Sequence, residues 1–159
     1  MSGPELHPDI APLGFLLGSW IGEGAGYYPT IKDFAYGEEI RVSHIGKPFL
    51  AYTQRTWSLD DGRALHAESG FWRLAPPTRV ELVIAHPNGI VEIEEGELSG
   101  TSIALETTAM AKTSSAKDVV QLTRAVRVLH DELAYDLHMA AVGQPLQPHL
   151  NARLTRTGT

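Results

Sequence analysis

Along most of the chain hydrophobic residues return at every second position. Leu133, Tyr135, Leu137 and Met139 alternate with Ala134, Asp136 and His138; Val80, Leu82 and Ile84 repeat the pattern, as do Ile103 and Leu105, and Val91 and Ile93 interleave with Glu92 and Glu94. A period of two is the signature of a strand with one packed and one wet face. By that rule Val91 and Ile93 should point inward and their two glutamates outward. Only the start follows another period: Ile10, Leu13 and Leu17 have helical spacing, predicting one short helix at about Pro8 to Leu17.

Turn chemistry punctuates the strands about every ten residues, at Ile45-Gly46-Lys47-Pro48, Asp60-Asp61-Gly62, Ala75-Pro76-Pro77, Pro87-Asn88-Gly89, Ser99-Gly100 and His130-Asp131. That rhythm describes an antiparallel meander of about eight to ten short strands. A single open sheet of this size leaves raw edges, so closure into a barrel or a two-sheet sandwich is expected. The run Val119-Val120-Gln121-Leu122-Thr123-Arg124 puts polar residues on both faces. That favours a barrel with a ligand cavity over a dry sandwich. No linker or repeat divides residues 1–159, which are expected to form one domain.

Composition narrows the chemistry. The net charge is −6, with no basic cluster, which removes the driving force for nucleic-acid binding. No apolar run is long enough for a membrane helix, and Pro4, Pro8 and Pro12 interrupt the start where a signal peptide would lie, so a cytoplasmic protein is expected. The absence of cysteine excludes disulfides, thiolate metal sites and covalent haem attachment through C-x-x-C-H. Any metal must then be held by histidine or carboxylate.

The seven histidines are His7, His44, His66, His86, His130, His138 and His149, and none form an H-x-H or H-E-x-x-H pair. His7, His86, His130 and His138 read as surface residues beside turns or on polar faces. His66 shares parity with Glu68 and Trp72, which permits a His–carboxylate pair, though a solvent-facing strand is the plainer reading. His44 follows the parity of Ile40 and Val42 and could enter a cavity. His149 follows two prolines, and simple alternation sets it opposite Leu150, Ala152 and Leu154. Either the polar face lines the cavity, or His149 precedes the regular strand and escapes its parity. On the residues alone, the ligand stays open.

The window Gly18-Ser19-Trp20-Ile21-Gly22-Glu23-Gly24-Ala25-Gly26-Tyr27-Tyr28-Pro29-Thr30-Ile31 concentrates glycines and aromatics. Its plain reading is a strand that bends to close a barrel, with Trp20 on the floor; calycin barrels such as lipocalins share a G-x-W of this kind. The glycines also resemble part of a phosphate-binding loop, but Pro29 takes the last glycine position and no helix pattern follows, so a nucleotide site is rejected.

This window, together with His44-Ile45-Gly46-Lys47-Pro48-Phe49-Leu50 and the closing Pro148-His149-Leu150-Asn151-Ala152-Arg153-Leu154, resembles the nitrobindin family along nearly the whole chain. The resemblance implies an all-β, ten-stranded, up-and-down, calycin-like barrel with one haem b per chain at its open end. It places the iron on His149, Thr30 beside the haem, and the G-x-W-x-G-x-G residues Gly18, Trp20, Gly22 and Gly24 on the strand that admits the macrocycle. Lys32 and Lys117 are expected near the propionates, from charge and position only. Pro148 stands where a polar or acidic residue is expected.

The activity implied is that of a ferric haem protein that binds nitric oxide and isomerises peroxynitrite to nitrate. In that scheme the iron acts as a Lewis acid and no distal acid or base is required. The alternatives are a non-enzymatic carrier of a fatty acid or other apolar ligand, and a nitric oxide sensor or store. Peroxynitrite and nitric oxide are the expected partners, nucleic acid and membrane are not, and pairing as a homodimer is left open.

Overall fold

The computed structural model describes residues 2–158. A 3-10 helix, Ala11–Leu16, is followed by ten strands: β1 (Gly18–Tyr28), β2 (Ile31–Ser43), β3 (Leu50–Ser58), β4 (Ala64–Ala75), β5 (Arg79–His86), β6 (Ile90–Ser99), β7 (Ser102–Lys112), β8 (Val119–Leu129), β9 (Glu132–Ala141) and β10 (Gln147–Gly158). Each strand pairs antiparallel with its neighbours in sequence, and β1 also pairs with β10, closing the barrel. The expected ten-stranded up-and-down barrel is borne out. The helix is shorter than its hydrophobic spacing suggested, because Gly18, at φ 131°, already turns the chain into β1.

The connections sort into two ends. The N-terminal segment packs over one end, where Ile10, Leu13 and Leu16 join Trp20 in the core. Trp20 Nε1 donates to the Leu16 carbonyl at 3.0 Å, and the Arg156 guanidinium lies 4.1 Å over the indole ring. Arg156 also donates to the carbonyls of Leu17 and Phe15 and pairs with Asp131 at 3.0 Å. This end is a floor, pinned by one arginine. The opposite end carries the turns after β1, β3, β5, β7 and β9, and forms the mouth.

Inside the barrel the alternation rule fails in one strand. In β6, Glu92 and Glu94 are 2 % and 0 % exposed, whereas Val91 and Ile93 are 52 % and 38 % exposed, the reverse of the expected orientation. The cause is a partner two strands away: Arg124 of β8 is buried and forms a two-pronged pair with Glu94 at 3.1 and 3.2 Å, with Glu68 at 3.7 Å. Burying these charges is tolerable only because they meet. Glu38 is buried too, accepting from the Tyr135 hydroxyl at 2.6 Å and from Gln54 Nε2 at 2.7 Å. The core is therefore layered, apolar toward the floor and polar toward the mouth.

Candidate functional site

His149 lies at a β-bulge. The register of β10 against β9 jumps between Pro148, opposite His138, and Leu150, opposite Leu137, so His149 is the extra residue. A bulge re-aims a side chain without disturbing the strand beyond it, and this resolves the parity problem: Ala152 and Leu154 keep their places in the core while His149 escapes the alternation. Its Nδ1 lies 3.0 Å from the Tyr27 carbonyl. A carbonyl only accepts, so Nδ1 carries the proton and Nε2 keeps its lone pair.

Two tyrosines fix this arrangement. Tyr27, whose backbone holds the imidazole, has its hydroxyl hydrogen-bonded by Asn151 Nδ2. Tyr28 meets the His149 ring edge-on at 5.5 Å and 76°. The Tyr28 hydroxyl accepts from the Ala141 amide at 2.9 Å and lies 3.1 Å from the Met139 carbonyl, tying β1 to the end of β9. Burial lowers the pKa of His149 below the ordinary histidine value, only partly countered by the Tyr27 carbonyl. The imidazole is thus neutral, oriented and half-buried, with one nitrogen free: the state required of a metal ligand.

The other expected site residues divide between the two ends. Thr30 sits exposed in the Pro29-Thr30 turn, on the same rim as His149, and Lys32 and Lys117 are exposed on that rim as well. Gly18 and Trp20 belong to the floor; Trp20 stands seven residues, or about 23 Å of strand, from Tyr27. Both lie at the other end of the barrel from His149, and Trp20 caps the core. A Cβ at Gly22 would collide with the Arg153 carbonyl, and one at Gly24 would meet the Asn151 carbonyl and the Tyr36 ring. The clearance these two glycines provide is taken up by the backbone of β10 and by Tyr36.

His44 lies at the floor end, where its Nδ1 accepts from the Gly46 amide at 3.1 Å, so it does not enter the mouth. The reverse holds for His86, expected on the surface. Its side chain is only 9 % exposed and its Nε2 lies 2.7 Å from Glu92 Oε1. Its Nδ1 lies 3.4 Å from Nε2 of His66, which is half-buried and bordered by Thr56, Trp57, Leu65 and Pro87. The parity of His86 with the buried Val80, Leu82 and Ile84 was the signal that could have placed it inside; the following turn obscured it. Among the described residues no three-residue cluster of histidines and carboxylates is arranged to hold a metal ion, so His149 would act as a single protein ligand.

A single neutral imidazole over an open mouth is poor ligation for a bare metal ion, but it suits an iron already held in a macrocycle. The comparisons agree with this geometry. Residues 9–156 match the family of THAP4-like, haem-binding β-barrel domains. The chain is 53 % identical over 156 residues to a protein of Mycobacterium ulcerans named peroxynitrite isomerase 2, covering 96 % of this chain and 97 % of that one. It is 53 % identical, with the same coverage, to peroxynitrite isomerase 1 of Mycolicibacterium paratuberculosis. The crystal structure of Rv2717c from M. tuberculosis superposes with a TM-score of 0.90 at 49 % identity, covering 96 % of this chain and 99 % of that chain. This chain belongs to the family of THAP4-like, haem-binding β-barrel domains.

Proposed function

We propose that this protein binds haem b through His149 and isomerises peroxynitrite to nitrate. The observation that carries the reading is the committed tautomer of His149, with Nδ1 on the Tyr27 carbonyl and Nε2 free at the barrel mouth. A ferric haem supplies the electrophilic iron that assists the rearrangement. The chain supplies the rest: Tyr27 and Tyr28 set the plane of the ligand ring, the bulge presents it, and the packed barrel beneath closes off water from below. Thr30 would flank the group at the rim, and Lys32 and Lys117 would supply positive charge for its propionates. Nitric oxide is a second small ligand of the same position.

The interior argues against the fatty-acid carrier. A carboxylate ligand would need a free buried cation, but Arg124 is already paired with Glu94 and Glu68 and shares the interior with Glu38 and Glu92. An excess of buried carboxylates repels another. The same excess keeps anionic peroxynitrite at the mouth. Stopped-flow decay of peroxynitrite with substoichiometric haem-loaded protein tests the activity: faster decay with increased nitrate yield is expected, and decay at the buffer rate would sink it.

Self-association as a homodimer has a candidate surface. Phe71, Val83 and Ile93 stand in register across β4, β5 and β6, all exposed on the outer face. A row of this kind is the self-complementary apolar strip an isologous interface uses. Light scattering should give twice the chain mass for the native protein and a monomer for Val83→Glu; a native monomer would dismiss it.

A further inference from the structure

One buried carboxylate has neither a cation against it nor a part in the isomerase reading. Glu38 of β2 accepts from Gln54 Nε2 at one oxygen and from the Tyr135 hydroxyl, 2.6 Å away, at the other, while Arg124 directs its ion pairs to Glu94 and Glu68. The Tyr135 oxygen lies 2.7 Å from the hydroxyl of Tyr36, which reaches the Asn151 carbonyl at 3.2 Å, two residues along β10 from His149. Glu38, Tyr36 and Tyr135 are all buried. Gly24 makes the line possible, since a Cβ there would collide with both the Tyr36 ring and the Asn151 carbonyl.

We propose that Tyr135 is a one-electron donor and Glu38 the base that takes its phenolic proton, so that oxidising radicals escaping from the mouth are quenched on the Tyr36–Tyr135 pair. This goes beyond the isomerase reading and rests on it for the source of the oxidant. Peroxynitrous acid that breaks homolytically at its O–O bond, instead of rearranging, yields hydroxyl radical and nitrogen dioxide. Nitrogen dioxide is neutral, so buried carboxylates that repel an anion do not exclude it.

The step moves one electron and one proton. Nitrogen dioxide takes the electron and becomes nitrite. The Tyr135 O–H bond breaks, its proton passes to the Glu38 carboxylate to give the neutral acid, and Tyr135 is left as a phenoxyl radical that accepts a hydrogen bond from Tyr36. A one-electron reductant such as ascorbate restores the phenol as Glu38 returns the proton.

Hydrogen bonding singles out Tyr135 among the five tyrosines. An oxidised phenol must shed its proton, so oxidation is easiest where a base already holds that proton. Tyr135 alone among the described residues donates to a carboxylate: Tyr27 accepts from Asn151, Tyr28 is tied to the backbone of Met139 and Ala141, and Tyr36 meets a phenol and a carbonyl. Until the electron leaves, the proton stays, because burial first and then the charge of Glu38 hold the Tyr135 phenol well above its ordinary pKa. Four carboxylates, of Glu38, Glu68, Glu92 and Glu94, share this interior with the single guanidinium of Arg124. Such negative surroundings ease the loss of an electron.

Two experiments test this. In the haem-free chain, nitrogen dioxide generated by pulse radiolysis of nitrite solutions is the probe, and the radical is read by its absorption and by electron paramagnetic resonance of freeze-quenched samples. The wild type should give a long-lived tyrosyl radical. Tyr135→Phe should lose it, and so should Glu38→Gln, which keeps every phenol and removes the base; circular dichroism confirms the barrel in each. The wild-type yield should rise with pH through about 7, the value to which burial and Glu68 of β4 push Glu38 against Tyr135 of β9, Gln54 of β3 and Arg124 of β8, with Tyr36 beside it on β2. An undiminished long-lived signal in either folded variant, or a yield indifferent to pH, would overturn the assignment; if Tyr135→Phe does not fold, Glu38→Gln decides. In the haem-loaded protein, Tyr135→Phe should consume peroxynitrite at the wild-type rate yet accumulate more nitrotyrosine at Tyr27 and Tyr28, read by mass spectrometry. Unchanged nitration there would overturn the quenching role. A wild-type protein that leaves peroxynitrite decay at the buffer rate would instead defeat the isomerase reading, and the haem-free experiment would still decide whether Tyr135 is the donor.

Discussion

At the scale of single residues the candidate site is one imidazole positioned by its neighbours. Alternation along β10 would have wasted His149 on the wrong face; the bulge after Pro148 frees it, and the Tyr27 carbonyl selects its tautomer. The closing motif singled out this histidine as the candidate ligand, but its orientation was not legible, because a bulge carries no period. Nor were the roles of the two tyrosines, which depend on contacts more than 100 residues apart. Tyr28→Phe isolates one of them. It leaves the buried Ala141 amide without its acceptor, so a loss of about 1–3 kcal/mol in chemical denaturation is expected, together with weaker haem affinity as the ring that meets His149 loses its anchor to β9. Undiminished stability would mean that this hydroxyl carries no load.

At the scale of elements, β1 and β6 show where pattern reading succeeds and where it breaks. The glycines of β1 were visible as a sign of close approach; what approaches, the carbonyls of β10 and the ring of Tyr36, required the closed topology. Gly22→Ala should cost about 2 kcal/mol or more in the denaturation midpoint, since its methyl collides with a backbone atom that cannot rotate away. In β6 the apolar residues were the misleading ones: Ile90 and Gly96 share the inner face with Glu92 and Glu94, and only Arg124, some thirty positions away, explains that choice. Arg124→Leu alone should therefore destabilise by about 3–5 kcal/mol, leaving Glu94 and Glu68 buried without their cation. Arg124→Leu combined with Glu94→Leu should recover most of that loss. Equal stability of the single and double variants would show that the pair is not coupled.

At the scale of the whole molecule the barrel has a pinned floor and a working mouth, and the transition between them is a layer of buried acids. That layer makes stability depend on pH. Burial pushes Glu38 up to about 7, against the hydrogen bonds from Tyr135 and Gln54, from an ordinary value of 4.5. A carboxyl whose pKa is raised on folding favours the folded state while it is protonated; this contribution is complete below pH 4.5 and is lost as pH climbs through 7. Glu38→Gln keeps a neutral amide there, and its new N–H can meet Gln54 Oε1, which lacks a partner among the described residues. The stability difference between variant and wild type should thus move in favour of the variant from pH 5 to 8, by up to on the order of 3 kcal/mol. A difference independent of pH would contradict it. The barrel itself was readable from turn spacing and alternation, whereas its polar interior was not, since inward-facing acids look like a wet face until their partners are known.

The central claim is that this fold exists to hold haem on one histidine. Its most direct test is a haem titration of the wild-type protein and His149→Ala, followed at the Soret band, with far-ultraviolet circular dichroism confirming that both retain the barrel. The account predicts saturation at one haem per chain for the wild type and no saturable binding for the variant. A folded His149→Ala protein that takes up one haem per chain with an unchanged Soret band would contradict it.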